Sequence, residues 1–492
     1  MSDAQAESNG EETPTAPEVD ERSVSKQYTG TLGDRQVSYT AAAATQIVDQ
    51  GEDKKAVFFY VAYTEDDTDP VTRPIVFAFN GGPGSSTVWL HLGLFGPRRV
   101  SLDAEGLSGR VPGSLIDNEH SILDVADVVL VDAVGTGFST AAPKEKEKEF
   151  HHFSKDMEAF SDFIVSYLNR NGRWASPKYL AGESYGTTRA AVVAHNLFSI
   201  KHTELNGLIL ISNVLNFQTV HQDRELLAFH PGNDLPYMLF LPTYTATAWY
   251  HGRLSKKNQG RGLRDLLDEV EEFAIGRYWS ALARGDELDE KERARVRAKL
   301  AEYTGLSGEY IERYDLRIHI HRFCKELLRD QRRTVGRLDS RFTGIDRFAD
   351  GDSLENDPAN DHTGGPYTAT LNHYLREELG FDHDAYYETL SLKVNESWDY
   401  EEFKGRYVDT SENLRDVMSR SNGLRVFVAN GYYDLATPHF ATRYTFNHLG
   451  LDESLRRNVT MEHYEAGHMM YLRTESLVQL SEHLRDFIKT SR

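Results

Sequence analysis

At 492 residues, with 39% hydrophobic and 27% charged side chains, the chain is long enough for one large core plus an insertion or a second domain. A net charge of −21 disfavours nucleic acid and anionic membrane surfaces. No stretch approaches the unbroken apolar run that a spanning helix needs, and the lone cysteine, Cys324, rules out an intrachain disulfide.

The chain opens on an acidic stretch without an apolar core, residues 1–22 carrying seven acidic side chains. That composition is not a signal peptide's; it reads as disorder, and residues 1–30 form an acidic disordered tail in this reading. Alternating segments at 35–40 and 56–64 predict antiparallel strands that begin a sheet. Residues 74–80 are a strand-like apolar run that empties into Gly81, Gly82, Pro83 and Gly84. Such a turn leaves backbone N–H groups aimed outward, and donors of that kind suit the oxyanion that develops when a nucleophile attacks a carbonyl. Further strands are expected at 125–134, 179–184 and 208–213, with a helix over 153–169.

The strand at 179–184 ends in Gly182-Glu183-Ser184-Tyr185-Gly186, which fits G-x-S-x-G. Alone, three fixed residues recur by chance in roughly a fifth of chains this long. Context adds weight, because strand, sharp turn and helix-compatible run follow in the order that exposes a serine hydroxyl above a sheet edge.

From 216 to 419 charge-laced helical segments dominate, such as 263–282 and 289–303, with an acidic loop at 350–361. His319 and His321 flank Ile320 and could offer two metal ligands, but a solvated face accounts for the pair. The acidic loop lacks the glutamate and glycine positions of a calcium loop, so no metal is assigned. Tyr237, Phe240, Tyr244, Trp249 and Tyr250 either wall a pocket for apolar side chains or pack this region's core. Cys324 sits in a helix-like pattern that suits a buried, inert thiol. After this region, 424–429 reads as a buried strand leading to Asp434, and 459–464 as another leading to His468. A serine nucleophile needs a base and the base an orienting acid; Ser184, Asp434 and His468 occur in that order, each after a strand, where open α/β sheets keep their sites.

On these residues the chain resembles the serine carboxypeptidases, the carboxypeptidase Y and cathepsin A group of α/β-hydrolases. The matching pieces are Asn80-Gly81-Gly82-Pro83-Gly84-Ser85-Ser86, Gly96-Pro97, Val131-Asp132 through Gly135-Thr136-Gly137-Phe138-Ser139, the Ser184 pentapeptide, Asn430-Gly431 with Asp434, and Ala466-Gly467-His468-Met469. The resemblance implies an α/β-hydrolase core, a mixed and mostly parallel sheet flanked by helices, over 31–215 and 420–492. A mainly helical cap insertion would occupy 216–419. It implies Ser184 as nucleophile, His468 as general base and then acid, and Asp434 as its orienting group. Gly82 and Tyr185 would donate the oxyanion-hole N–H groups, and Asn80, Gly81 and Glu183 would hold a peptide's terminal carboxylate.

The implied activity is removal of C-terminal amino acids from peptides through an acyl-enzyme, with no metal or organic cofactor and a peptide substrate as the only implied partner. A serine esterase or acyltransferase on the same fold is the alternative; a non-catalytic binding protein is disfavoured by the intact serine, aspartate and histidine. One departure stands out. The family places a second glutamate, sharing a proton with the first, where this chain has Leu94. Without it Glu183 is expected to stay ionised to lower pH unless burial compensates, and Arg98, Arg99 or Arg189 could instead clamp a carboxylate. The family's cysteines near the oxyanion turn and the catalytic aspartate are Ser85 and Thr437 here. One cysteine and no apolar leader point to the cytoplasm, where the sequons at Asn395 and Asn458 would carry no glycan.

Overall fold

Ten strands form one mixed sheet among the described residues, which in this computed structural model are 20–33, 35–51, 54–220, 232–421 and 423–491. They are β1 (Ser23–Leu32), β2 (Arg35–Asp49), β3 (Lys55–Glu65), β4 (Ile75–Phe79), β5 (Asp127–Val131), β6 (Thr140–Ala142), β7 (Lys178–Glu183), β8 (Gly207–Ile211), β9 (Arg425–Gly431) and β10 (Val459–Tyr464). The order is β1-β2-β3-β5-β4-β7-β8-β9-β10, with β6 beside β3. Pairings from β1 to β5 are antiparallel. From β5 to β10 every pairing is parallel.

The helices used below are α1 (Phe153–Arg170), α2 (Tyr185–Ser199), α3 (Leu235–Tyr250), α4 (Leu263–Phe273), α5 (Glu290–Thr304), α6 (Pro358–His373), α7 (His439–Asn447) and α8 (Thr474–Thr490). Central strands are buried along their whole length, which is why Ile75-Val76-Phe77-Ala78-Phe79 and Gly207-Leu208-Ile209-Leu210-Ile211 read as unbroken apolar runs. Successive side chains of β4 face opposite sides. Val76 and Ala78 join a cluster with Leu480, Leu484 and Phe487 of α8, while Ile75, Phe77 and Phe79 pack with Phe160 and Phe163 of α1 and Val193 of α2.

Between β8 and β9 the chain leaves the sheet and builds α3 to α6, with an apolar cluster that includes Leu239, Phe240, Tyr244, Leu266, Val270, Leu300 and Phe323. It reaches the core through Leu435, Phe440 and Ala441. Phe240 and Tyr244 therefore pack the insertion rather than wall a pocket, Tyr244 stacking on Phe323 at 4.2 Å. Tyr250 lies against Tyr433 at 5.3 Å, beside the loop that carries Asp434. Cys324 is fully buried, and burial pushes its thiol well up, so it is inert. The rings of His319 and His321 lie 5.6 Å apart at the start of a short helix.

The expected acidic tail needs correcting. Residues 23–30 belong to β1, paired with β2 from Ser23 opposite Ala44 to Leu32 opposite Arg35. This edge strand is mostly polar because one face meets solvent; Val24 and Tyr28 pack against the core and Leu32 at its end is buried in it, and the polarity of the rest hid the strand. Residues 1–19 of the expected tail lie outside the described residues.

Candidate active site

The elbow forms where β7 ends and α2 begins. Ser184 takes φ 61° and ψ −128°, a backbone region that costs a non-glycine residue about 1–3 kcal/mol. It is held there by its N–H donating to the Ile211 carbonyl at 3.0 Å and by its own carbonyl accepting from Thr187 N at 2.8 Å. A Cβ on Gly182 would lie 2.0 Å from the Gly186 carbonyl oxygen, so only glycine lets the strand double back into the helix this tightly.

The turn after β4 abuts this elbow. A Cβ on Gly81 would come within 2.5 Å of both Tyr185 N and Gly186 N, and Gly82 adopts φ 104°. Neither Gly82 N–H nor Tyr185 N–H donates to a partner among the described residues. Tyr185 opens α2, so its N–H carries the helix's positive end as well. Arg189, one turn along α2, is fully buried, donates to the Asn80 carbonyl at 2.7 Å and pairs with Asp156 at 2.7 Å. It is thus a brace between the two turns and no carboxylate clamp.

The loops after β9 and β10 bring Asp434 and His468 together. His468 Nδ1 donates to Asp434 Oδ2 at 2.7 Å, and both residues are buried. The other donors to Asp434 are Ala436 N at 2.7 Å, Thr437 N at 2.9 Å and the Thr437 hydroxyl at 2.7 Å. Burial works against a charged His468, but the Asp434 carboxylate, its hydrogen bond and Glu183 more than offset this and raise the imidazole above its ordinary range. No hydrogen bond joins Ser184 to His468 among the described residues; such contacts are commonly looser without substrate. The insertion clasps both loops: Leu435 N donates to the Arg337 carbonyl at 3.0 Å and His468 N to the Leu338 carbonyl at 2.7 Å.

Next to Ser184, Glu183 is buried at 3% exposure, accepting from Asn80 Nδ2 and from the Tyr471 hydroxyl, each at 2.7 Å. Burial raises its carboxyl to about 7 against the lowering effect of His468, Tyr471 and Asn80, with Asp434 adding to the rise. The loss of acidity expected to vanish with Leu94 is therefore supplied by burial. Leu94 itself is fully buried. Arg98 is engaged by Asp117 and by Glu378 at 2.9 Å, whereas Arg99 is partly buried and makes no ion pair among the described residues. Tyr471 carried no signal in the sequence beyond lying three residues after His468. Among the described residues, the one grouping of metal-type ligands, His152, Asp399 and Glu401, lies at the start of α1 and includes no triad residue.

A strained serine at a strand-to-helix elbow, with an acid and a histidine on neighbouring strand ends, defines the α/β-hydrolase class. The chain belongs to the serine carboxypeptidase family, whose model, described as "Serine carboxypeptidase", matches residues 17–481. It is 31% identical over 164 residues to the pheromone-processing carboxypeptidase KEX1 of Saccharomyces cerevisiae strain ATCC 204508 / S288c, 31% of this chain but only 21% of that protein. Serine carboxypeptidase-like 46 of Arabidopsis thaliana is 29% identical over 230 residues, 42% of this chain and 43% of the relative. The crystal structure of KEX1(Δ)P, a prohormone-processing carboxypeptidase from Saccharomyces cerevisiae, aligns with a TM-score of 0.56 at 18% identity, covering 92% of this chain and 91% of that one, which shows a shared fold.

Proposed function

We propose that the protein is a serine carboxypeptidase that removes C-terminal amino acids from peptides. The observation that carries this reading is Glu183, a buried carboxyl raised to about 7 and seated on the residue before Ser184. A carboxyl kept neutral into weak acid can donate a hydrogen bond to a substrate carboxylate, and here it would do so one residue from the nucleophile. Asn80 and the Gly81 backbone complete that grip.

Ser184 Oγ attacks the carbonyl of the last peptide bond while His468 takes its proton, and Asp434 stabilises the imidazolium. The oxyanion is met by the Gly82 and Tyr185 N–H groups. His468 then protonates the departing amine, and water, activated by the same histidine, releases the acyl group. Membership of the family, the strained elbow and the Asp434–His468 hydrogen bond support these assignments.

Fluorophosphonate labelling and a pair of N-blocked dipeptides, one with a free C-terminus and one esterified, test the proposal. Labelling should disappear in Ser184→Ala, and the free-acid dipeptide should release its last amino acid. Hydrolysis of the ester alone would move the protein to the esterase reading. We also propose a reducing, cytoplasmic setting from the single buried cysteine. A reductant should leave Tm unchanged, and recovery of the native protein from a secreted fraction would overturn that placement.

A further inference from the structure

We infer that Tyr471 is a further member of the set that grips the substrate carboxylate, a positioning residue that holds one oxygen of Glu183 while Asn80 holds the other. The inference rests on the carboxypeptidase reading and adds a residue that reading does not use. The Tyr471 hydroxyl donates to Glu183 Oε2 and Asn80 Nδ2 to Oε1, so each carboxyl oxygen has one fixed donor. Tyr471 is as buried as Glu183, where a hydrogen bond orients its partners more firmly than at the surface.

The space for the ring is built into the chain. A Cβ on Gly93 would lie 2.3 Å from Tyr471 Cε2 and 3.0 Å from the Tyr367 hydroxyl oxygen, so a glycine at 93 is what admits the phenol. Its neighbour Leu94 is buried and offers no polar group to Glu183. Tyr471 rides on the short turn Met470–Leu472 just after His468, so one segment delivers both the base and the phenol. Without that hydroxyl, Glu183 Oε2 would be buried without a donor.

The groups that face Glu183 are His468 after β10, Asp434 after β9, Tyr367 on α6, Tyr471 and the neutral Asn80. Burial, and then the charge of Glu183, hold the Tyr471 phenol far above its ordinary range, so it remains a protonated donor throughout. Its hydrogen bond favours the ionised carboxyl and so opposes the rise caused by burial. Removing it should let Glu183 keep its proton to higher pH.

Tyr471→Phe keeps the ring and deletes the donor. KM and kcat for the free-acid dipeptide, and for its ester, would be measured from about pH 5 to about pH 8 in the wild type, Tyr471→Phe, Glu183→Gln and the double variant. The pH at which KM for the acid climbs should rise by about one unit in Tyr471→Phe, the size of a lost hydrogen bond to a charged group. In Glu183→Gln the climb should vanish, and adding Tyr471→Phe should shift nothing further. A Tyr471→Phe profile that is weaker at every pH but turns at the wild-type pH would overturn the inference and leave the ring as mere packing. A wild type that treats acid and ester alike at every pH would overturn the carboxypeptidase reading, and this inference with it.

Discussion

The sheet core and the helical insertion divide the work unevenly. Core strands end at one edge, and the residues proposed for chemistry follow them: Gly82 after β4, Ser184 after β7, Asp434 after β9 and His468 after β10. The insertion has its own apolar cluster and supplies none of these side chains. It nevertheless holds two of them in place, since the segment 337–340 runs between the loops that carry Asp434 and His468. Leu435 N, His468 N and Gly467 N donate to the Arg337 carbonyl, the Leu338 carbonyl and Asp339 Oδ2, and Ser340 N donates to the Tyr433 carbonyl at 3.0 Å. A sheet edge can supply reactive groups, but here an outside segment fixes the distance between the acid loop and the base loop.

The sharpest test of that division removes the chemistry and keeps the scaffold. Ser184→Ala or His468→Ala should lower kcat by about 10⁴–10⁶-fold, and the double variant should be scarcely worse, because the members act as a unit. Unchanged Tm in each variant would place the loss in the core's chemistry. Turnover above that floor in Ser184→Ala would break the assignment.

Disturbing the insertion should cost stability first. Asp339 and Arg341 are both buried and paired at 2.6 Å. Asp339→Ala would leave the buried guanidinium with only its contacts to the Glu105 carbonyl at 3.1 Å and carboxylate at 3.6 Å, and should lower unfolding free energy by about 3 kcal/mol, read by urea titration. Because Asp339 also accepts from Gly467 N, kcat should fall in the fraction that stays folded. A stable variant with full kcat would detach the insertion from the base loop.

A pH series then separates burial from catalysis at Glu183. Its carboxyl is raised to about 7 in the folded state, chiefly by burial, so between the unfolded value of about 4.3 and 7 the native protein binds more protons than the unfolded chain. That contribution is complete below the lower value and is lost as pH rises through the upper one. The stability of the wild type relative to Glu183→Gln should therefore drop by up to about 4 kcal/mol across this window and level off above it. A flat difference would show that Glu183 keeps an ordinary proton affinity.

The smallest expected effect belongs to Thr437, whose hydroxyl is one of several donors to Asp434. Thr437→Val should lower kcat by about tenfold at most, with a stability loss of about 1 kcal/mol. A loss as large as that of His468→Ala would mean that the core depends on this hydroxyl as heavily as on the base itself.

Most of the site was legible because its residues fall in short motifs directly after strands, and β4, β7, β8, β9 and β10 announce themselves as apolar runs. β1 was not, because an edge strand with one wet face has the composition of a tail. The arginines were misleading for a related reason. Arg189 lies close to Ser184 in the chain, but the helix turns it inward to Asp156 and Asn80.

The amino-acid order by itself determined the family, the serine–aspartate–histidine order and the glycines of the turn after β4, since these depend on local backbone geometry and on which residue follows which strand. The tertiary structure decided how acidic Glu183 is. Leu94 suggested a carboxyl that ionises readily, yet packing raises it to about 7 and sets a tyrosine on its free oxygen. Desolvation depends on everything that surrounds a group, and Gly93, Tyr471 and Tyr367 meet beside Glu183 only after distant segments have folded together.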